Sequence, residues 1–110
     1  ALVTLEEQGA PLSLERHCNG AMIGAVAVDM IFTLPRPKSA KKGARADKRP
    51  DLSKLVRSTE DALTEAGIWE DDARVVCLTA SKVYVDDVWP FEALRMPGAI
   101  IRIKKAVNFQ

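Results

Sequence analysis

Apolar and β-branched residues crowd three stretches of the chain, and a fourth repeats its apolar positions at helical spacing. AVAVDMIFTL (residues 25–34) mixes β-branched and aromatic residues and runs into Pro35 and Pro37, so it predicts a strand that stops there. Residues 52–66 place Leu52, Leu55, Val56, Thr59, Ala62, Leu63 and Ala66 on one face of a helix, and Gly67 follows as its C-terminal cap. Ile68 and Trp69 come next, with Trp69 expected to anchor the turn in the core. RVVCLTASKVYV (74–85) predicts a long strand, DDVWPFEALRMPG (86–98) a connection, and AIIRIKK (99–105) a last strand. Residues 2–8 and 12–16 read as short helices with Leu2, Leu5, Leu12 and Leu14 as apolar contacts, interrupted by Gly9 and Pro11. The sum is an α+β fold: a small antiparallel or mixed sheet with one or two packed helices, a single domain over 1–110, without internal repeats.

Between the first strand and the helix lies RPKSAKKGARADKRP (36–50), polar and glycine-containing, which predicts a mobile loop. Charge gives this loop a second meaning. The net charge is only +1, yet nine bases fall between Arg36 and Arg57 against Asp47 and Asp51, and six acids with no base fall between Glu60 and Asp72. A charge run is often a solvated surface. It is also what binds a polyanion, because each Lys or Arg displaces a counterion from phosphate. Lys38, Lys41, Lys42, Arg45, Lys48, Arg49 and Lys54 are the candidate DNA contacts. The basic stretch contains no aromatic residue, which argues against stacking on single-stranded bases and for contacts to a duplex backbone.

Other chemistries are narrowed by what the chain lacks. His17 is the single histidine and reads as a surface residue, so catalysis has to rest on carboxylates, lysines or hydroxyls. Cys18 and Cys77 form no metal-type pair and read as reduced thiols of an intracellular protein. The longest apolar run, GAMIGAVAV, is too short to span a bilayer, and ALVTLEEQGAPLSLERH does not read as a signal peptide.

The acids pose the sharpest question. WEDDARVV (69–76) sets Glu70, Asp71 and Asp72 directly before a β-branched run, although acids repel one another and make poor strands. Asp51, after Pro50, stands where a helix N-cap belongs, with a carboxylate able to accept a backbone N–H. If the helix and the following strand run antiparallel, Asp51 and Asp72 are about 20 Å apart from the helical rise alone. Periodicity does not bring these carboxylates together.

The segment RPDLSKLVRSTEDALTEAGIWEDDARVV resembles the core motif of the RusA-like Holliday junction resolvases, whose pattern runs K/R-P-D-x-D-N-L-x-K, then D-A-L, then W-x-D-D-x-Q-V. Arg49, Pro50 and Asp51 match its opening, Leu55 its leucine and Arg57 its basic residue. Asp61, Ala62 and Leu63 match the middle block, and Trp69, Asp71, Asp72 and Val75 the last. The likeness covers about residues 25–104. It implies a magnesium-dependent endonuclease (manganese in its place) acting on branched or duplex DNA as a homodimer, in the cytoplasm of a bacterial or phage-infected cell. By carry-over Asp51 and Asp72 are metal ligands with Asp71 nearby, and Arg57 neutralises charge on the phosphate. Two departures stand out. Ser53 replaces the family's second aspartate; if the segment is extended, Ser53 points the same way as Asp51 and can hold a metal-bound water, but it supplies no charge. The family's opening strand, with its Pro- and Lys/Arg-bearing loop, has no legible counterpart in residues 1–24. The missing acid keeps open an alternative, a DNA-binding protein of the same fold with weakened or lost catalysis.

Overall fold

The computed structural model describes residues 2–7, 10–12, 22–89 and 93–106, the first two segments as backbone alone. Five strands form one sheet in the order β2-β1-β5-β3-β4: β1 (Leu2–Glu7), β2 (Ala10–Leu12), β3 (Val26–Leu34), β4 (Val75–Tyr84) and β5 (Gly98–Lys105). One helix, α1 (Leu52–Glu65), lies between β3 and β4. β3 pairs parallel with β4 and antiparallel with β5, so the sheet is mixed. A parallel pair needs a crossover, and here it is made by the basic loop and α1 together.

Register explains the core. Val28, Met30 and Phe32 of β3 share a face with their partners, Leu78 and Ala80 on β4 and Ile103, Ile101 and Ala99 on β5. This face meets Val56 and Leu63 of α1, with Trp69 and Met22 closing the cluster. The other face is polar at its centre: Thr79 donates to Asp29 at 2.5 Å, and Arg102 lies 3.7 Å from the same carboxylate. Farther along the strands Ile31, Thr33 and Val83 on this same face are buried, and the Leu94 N–H of the connection after β4 donates to the Thr33 hydroxyl at 3.1 Å.

α1 ends where Gly67 was expected to cap it. Gly67 has φ +76, its N–H donates to the Thr64 carbonyl, and the Ile68 N–H donates to the Leu63 carbonyl, both at 3.0 Å. This is the Schellman arrangement, which needs a left-handed residue at the glycine. Of the predicted apolar face, Val56 and Leu63 are buried and Leu52 and Leu55 half-buried, while Ala62 and Ala66 face solvent. Trp69 is 1% exposed, so the anchoring role holds.

The N-terminal segment is corrected. Residues 2–7 form β1, not a helix, and Leu12 lies in β2; the rest of the expected second helix lies outside the described residues. β1 finds its partner at the other end of the chain, with Leu2 opposite Ile100 and Glu6 opposite Lys104. A pairing of such long range leaves no local period to read. Pro11 fits because β2 is the sheet's edge. Residues 1–24 therefore open on a strand pair where the sequence suggested helices. Among the described residues no helix is long and apolar enough to cross a membrane.

Candidate active site

Asp51 holds the N-cap position with extended backbone angles (φ −67, ψ 136), and its carbonyl accepts from the N–H groups of Lys54 and Leu55, each at 3.1 Å. Its carboxylate does not take the capping bond expected of it; it faces solvent 3.8 Å from the Lys54 ammonium. The side chain is thus not occupied by the helix it begins.

The three acids of WEDDARVV have three different occupations. Glu70 pairs with Arg74 at 3.3 Å. Asp71 caps a short 3₁₀ turn (Asp72–Arg74), accepting from the Ala73 N–H at 3.5 Å. Asp72 is half-buried, and one of its oxygens accepts from the Thr64 hydroxyl, which itself accepts from the buried Trp69 indole N–H at 2.6 Å. A relay from the core therefore fixes the Asp72 carboxylate, while its second oxygen takes no hydrogen bond among the described residues. The acids precede β4 because they build the turn that delivers it.

Glu60 lies one helical turn before Thr64 on the same side of α1. Its carboxyl is raised above the usual range by burial first, then by Asp72 and Asp61, with Arg57 pulling the other way. Ser53, Arg57 and Glu60 rim a groove whose floor is Leu78 and Ala80 of β4. The extended geometry expected to align Ser53 with Asp51 is absent: Ser53 is the second residue of α1, and side chains two apart on a helix do not face each other.

Within one chain these carboxylates stay apart. Asp51 begins α1 and Asp72 is bonded to Thr64 in its last turns, a separation of about 20 Å. Among the described residues no group of three or more His, Cys, Asp or Glu side chains gathers to hold a metal ion. A magnesium ion shared by Asp51, Asp71 and Asp72 of a single chain does not fit this arrangement.

The basic loop carries neither helix nor strand, as expected, and contacts made by Arg36, Lys82 and Arg45 tie it down. Arg36 spans it, donating to the carbonyls of Lys41 and Ala44 at 3.1 Å and to buried Asp87 at 2.7 Å, with its guanidinium over Tyr84. Lys82 donates to the carbonyls of Lys48 and Pro50. Lys38, Lys41, Lys42, Lys48 and Arg49 are exposed and form no ion pair among the described residues. Replacing Lys38, Lys41 and Lys42 by alanine is expected to weaken DNA binding equally for all sequences. Each lost contact should flatten log affinity against log salt by about 0.9. A salt titration of binding checks this, and an unchanged slope removes the loop from the interface.

Arg45 behaves differently, and it exposes what the sequence hid. Its guanidinium stacks 4.7 Å from the Trp89 ring centre and donates to the Trp89 carbonyl at 3.2 Å. Trp89 is 62% exposed. The absence of an aromatic from the basic stretch is thus made good in space by a residue from the connection after β4. Trp89→Ala is expected to cost about 1–3 kcal/mol in binding DNA with unpaired bases and little on plain duplex. Equal losses on both substrates, measured side by side, count against stacking.

The family profile for endodeoxyribonuclease RusA matches residues 7–92. The chain belongs to the RusA family. The match spans both motif acids, α1 and the basic loop, takes in β2, and stops before β5. None of the curated proteins matches the chain by sequence. RusA proteins are endodeoxyribonucleases, so the surface formed by α1, the Asp72 turn and the basic loop is where DNA chemistry is to be sought.

Proposed function

We propose that this RusA protein is a structure-selective endonuclease that hydrolyses phosphodiesters in branched DNA, four-way junctions above all. It acts as a homodimer in the cytoplasm of a bacterial or phage-infected cell, with Mg²⁺ (or Mn²⁺) as its cofactor. One observation supports this most: the family's acid Asp72 is oriented from the core by the Trp69–Thr64 relay and yet keeps one oxygen without a hydrogen bond among the described residues. A carboxylate kept only for solvation needs no such support. Around it the exposed lysines bind the phosphate backbone. Arg57, exposed on α1, supplies a planar cation that pairs bidentately with phosphate oxygens and offsets the charge that builds on them during hydrolysis.

A second reading is favoured by Ser53, which stands at the family's second aspartate and leaves α1 one acid short at its start. On that reading the protein binds junctions and cuts them poorly or not at all. Both readings require structure selectivity. In EDTA, the protein is expected to bind a four-way junction at least about tenfold more tightly than a linear duplex built from the same arms. Equal affinities in a competition gel shift remove both.

A further inference from the structure

A cleft of about 600 Å³ opens beside the basic loop, lined by Arg36, Lys42, Gly43, Arg45, Val88 and Trp89 among others. One wall is the loop, and the other is the start of the connection after β4. A single guanidinium braces both: Arg36 donates to the carbonyls of Lys41 and Ala44 on the loop and to the Asp87 carboxylate on the connection. Asp87 is buried, and its second oxygen accepts from the Tyr84 N–H at 2.8 Å, which ties that wall to the end of β4. Asp86 turns the chain there with φ +75, a left-handed conformation that Asp tolerates in turns. The turn brings out Val88 and Trp89, 79% and 62% exposed. Single exposed apolar residues are ordinary, but two in succession on a braced turn at the mouth of a cleft mark a contact surface.

The cleft offers a cationic and a stacking surface at once. Arg36 and Asp87 cancel each other's charge. Lys42 is exposed and forms no ion pair among the described residues. Arg45 is held over the indole by its bond to the Trp89 carbonyl. With Asp86 also on the wall, Lys42 and Arg45 leave one positive charge in excess, the complement of one phosphate.

We propose that this cleft takes one unpaired nucleotide of branched DNA, its base stacked on the exposed Trp89 ring and its phosphate between Lys42 and Arg45. A paired base shows only its edges to the grooves, so the interior of a duplex does not fill the cleft. At a branch point stacking is interrupted, and a base leaves the helix at small cost. Guanidinium, indole and base then form a sandwich favoured by cation–π attraction and by stacking. Because Arg36 already braces both walls, little ordering is needed on binding. The site rests on the reading of branched DNA as substrate and gives it the element that recognises the branch.

The full chain is titrated in EDTA against three duplexes of one sequence: fully paired, with one extrahelical adenine, and with an abasic residue in the adenine's place. The adenine duplex is expected to bind at least about tenfold more tightly than the abasic one, and Trp89→Leu to remove that difference. Trp89 is exposed, so the substitution leaves the core untouched. Trp69 is buried, so acrylamide quenching of tryptophan fluorescence reports Trp89; the adenine is expected to shield it and the abasic residue not. Equal affinity for the adenine and abasic duplexes, a difference that survives Trp89→Leu, or equal quenching on both overturns the site. A four-way junction titrated beside them separates this result from the reading beneath it. A junction bound no more tightly than the paired duplex removes that reading and the site with it. Junction selectivity with no dependence on the extrahelical base overturns the nucleotide site alone.

Discussion

Asp72→Asn is expected to lower the rate of junction cleavage at least about a thousandfold, a rise of about 4 kcal/mol in the barrier, while leaving the fold intact and junction binding equal or tighter. The substitution keeps shape and keeps an oxygen to accept from the Thr64 hydroxyl, so the turn before β4 survives. What disappears is the negative charge. Near DNA that charge opposes phosphate, so its removal favours binding, and it also relieves Glu60 of one of the neighbours that raise its carboxyl. Single-turnover cleavage and a gel shift on the same preparation read both effects. A mutant that cleaves at the wild-type rate makes Asp72 a turn residue and nothing more.

The second large effect concerns stability. Trp69→Ala should cost about 3–5 kcal/mol, the range for deleting a buried aromatic, because Trp69 is 1% exposed and packs among the residues that join α1 to the sheet. Small domains have only about 5–15 kcal/mol in all, so urea unfolding should show a midpoint far below wild type with an unchanged slope. Trp69→Phe separates packing from polarity. It keeps most of the ring and loses the indole donor to Thr64, at about 1 kcal/mol or slightly more. If Trp69→Ala costs less than about 1 kcal/mol, the ring is not the anchor described here.

These two residues also mark what the sequence could and could not disclose. Trp69 was legible because it follows a helix ended by Gly67, and local rules govern both. β3, α1 and β5 were legible for the same reason: a run of β-branched residues, a helical period, a proline or glycine stop. β1 was not, because its partner β5 lies at the other end of the chain, and β2, only three residues long, is too short to show an alternation. The site divides in the same way. The motif acids and Arg57 stand out through the resemblance of their segment to the RusA pattern, whereas the Thr64–Asp72 bond and the stacking of Arg45 on Trp89 join elements that no period relates. The alignment of Ser53 with Asp51 depended on an extended segment, a condition that the helix beginning at Leu52, as the periodicity predicts, does not meet. The separation of Asp51 from Asp72 was legible from helical rise alone, and the structure keeps it.

Carboxylate-dependent resolution of branched DNA is the claim on which the rest depends. It is tested most directly by incubating the full chain with a four-way junction labelled on each strand in turn, in Mg²⁺ or Mn²⁺ and in EDTA. The account predicts paired nicks on opposing strands with metal, yielding nicked duplexes, and no cleavage in EDTA. A junction that is bound tightly in either metal and stays whole contradicts it.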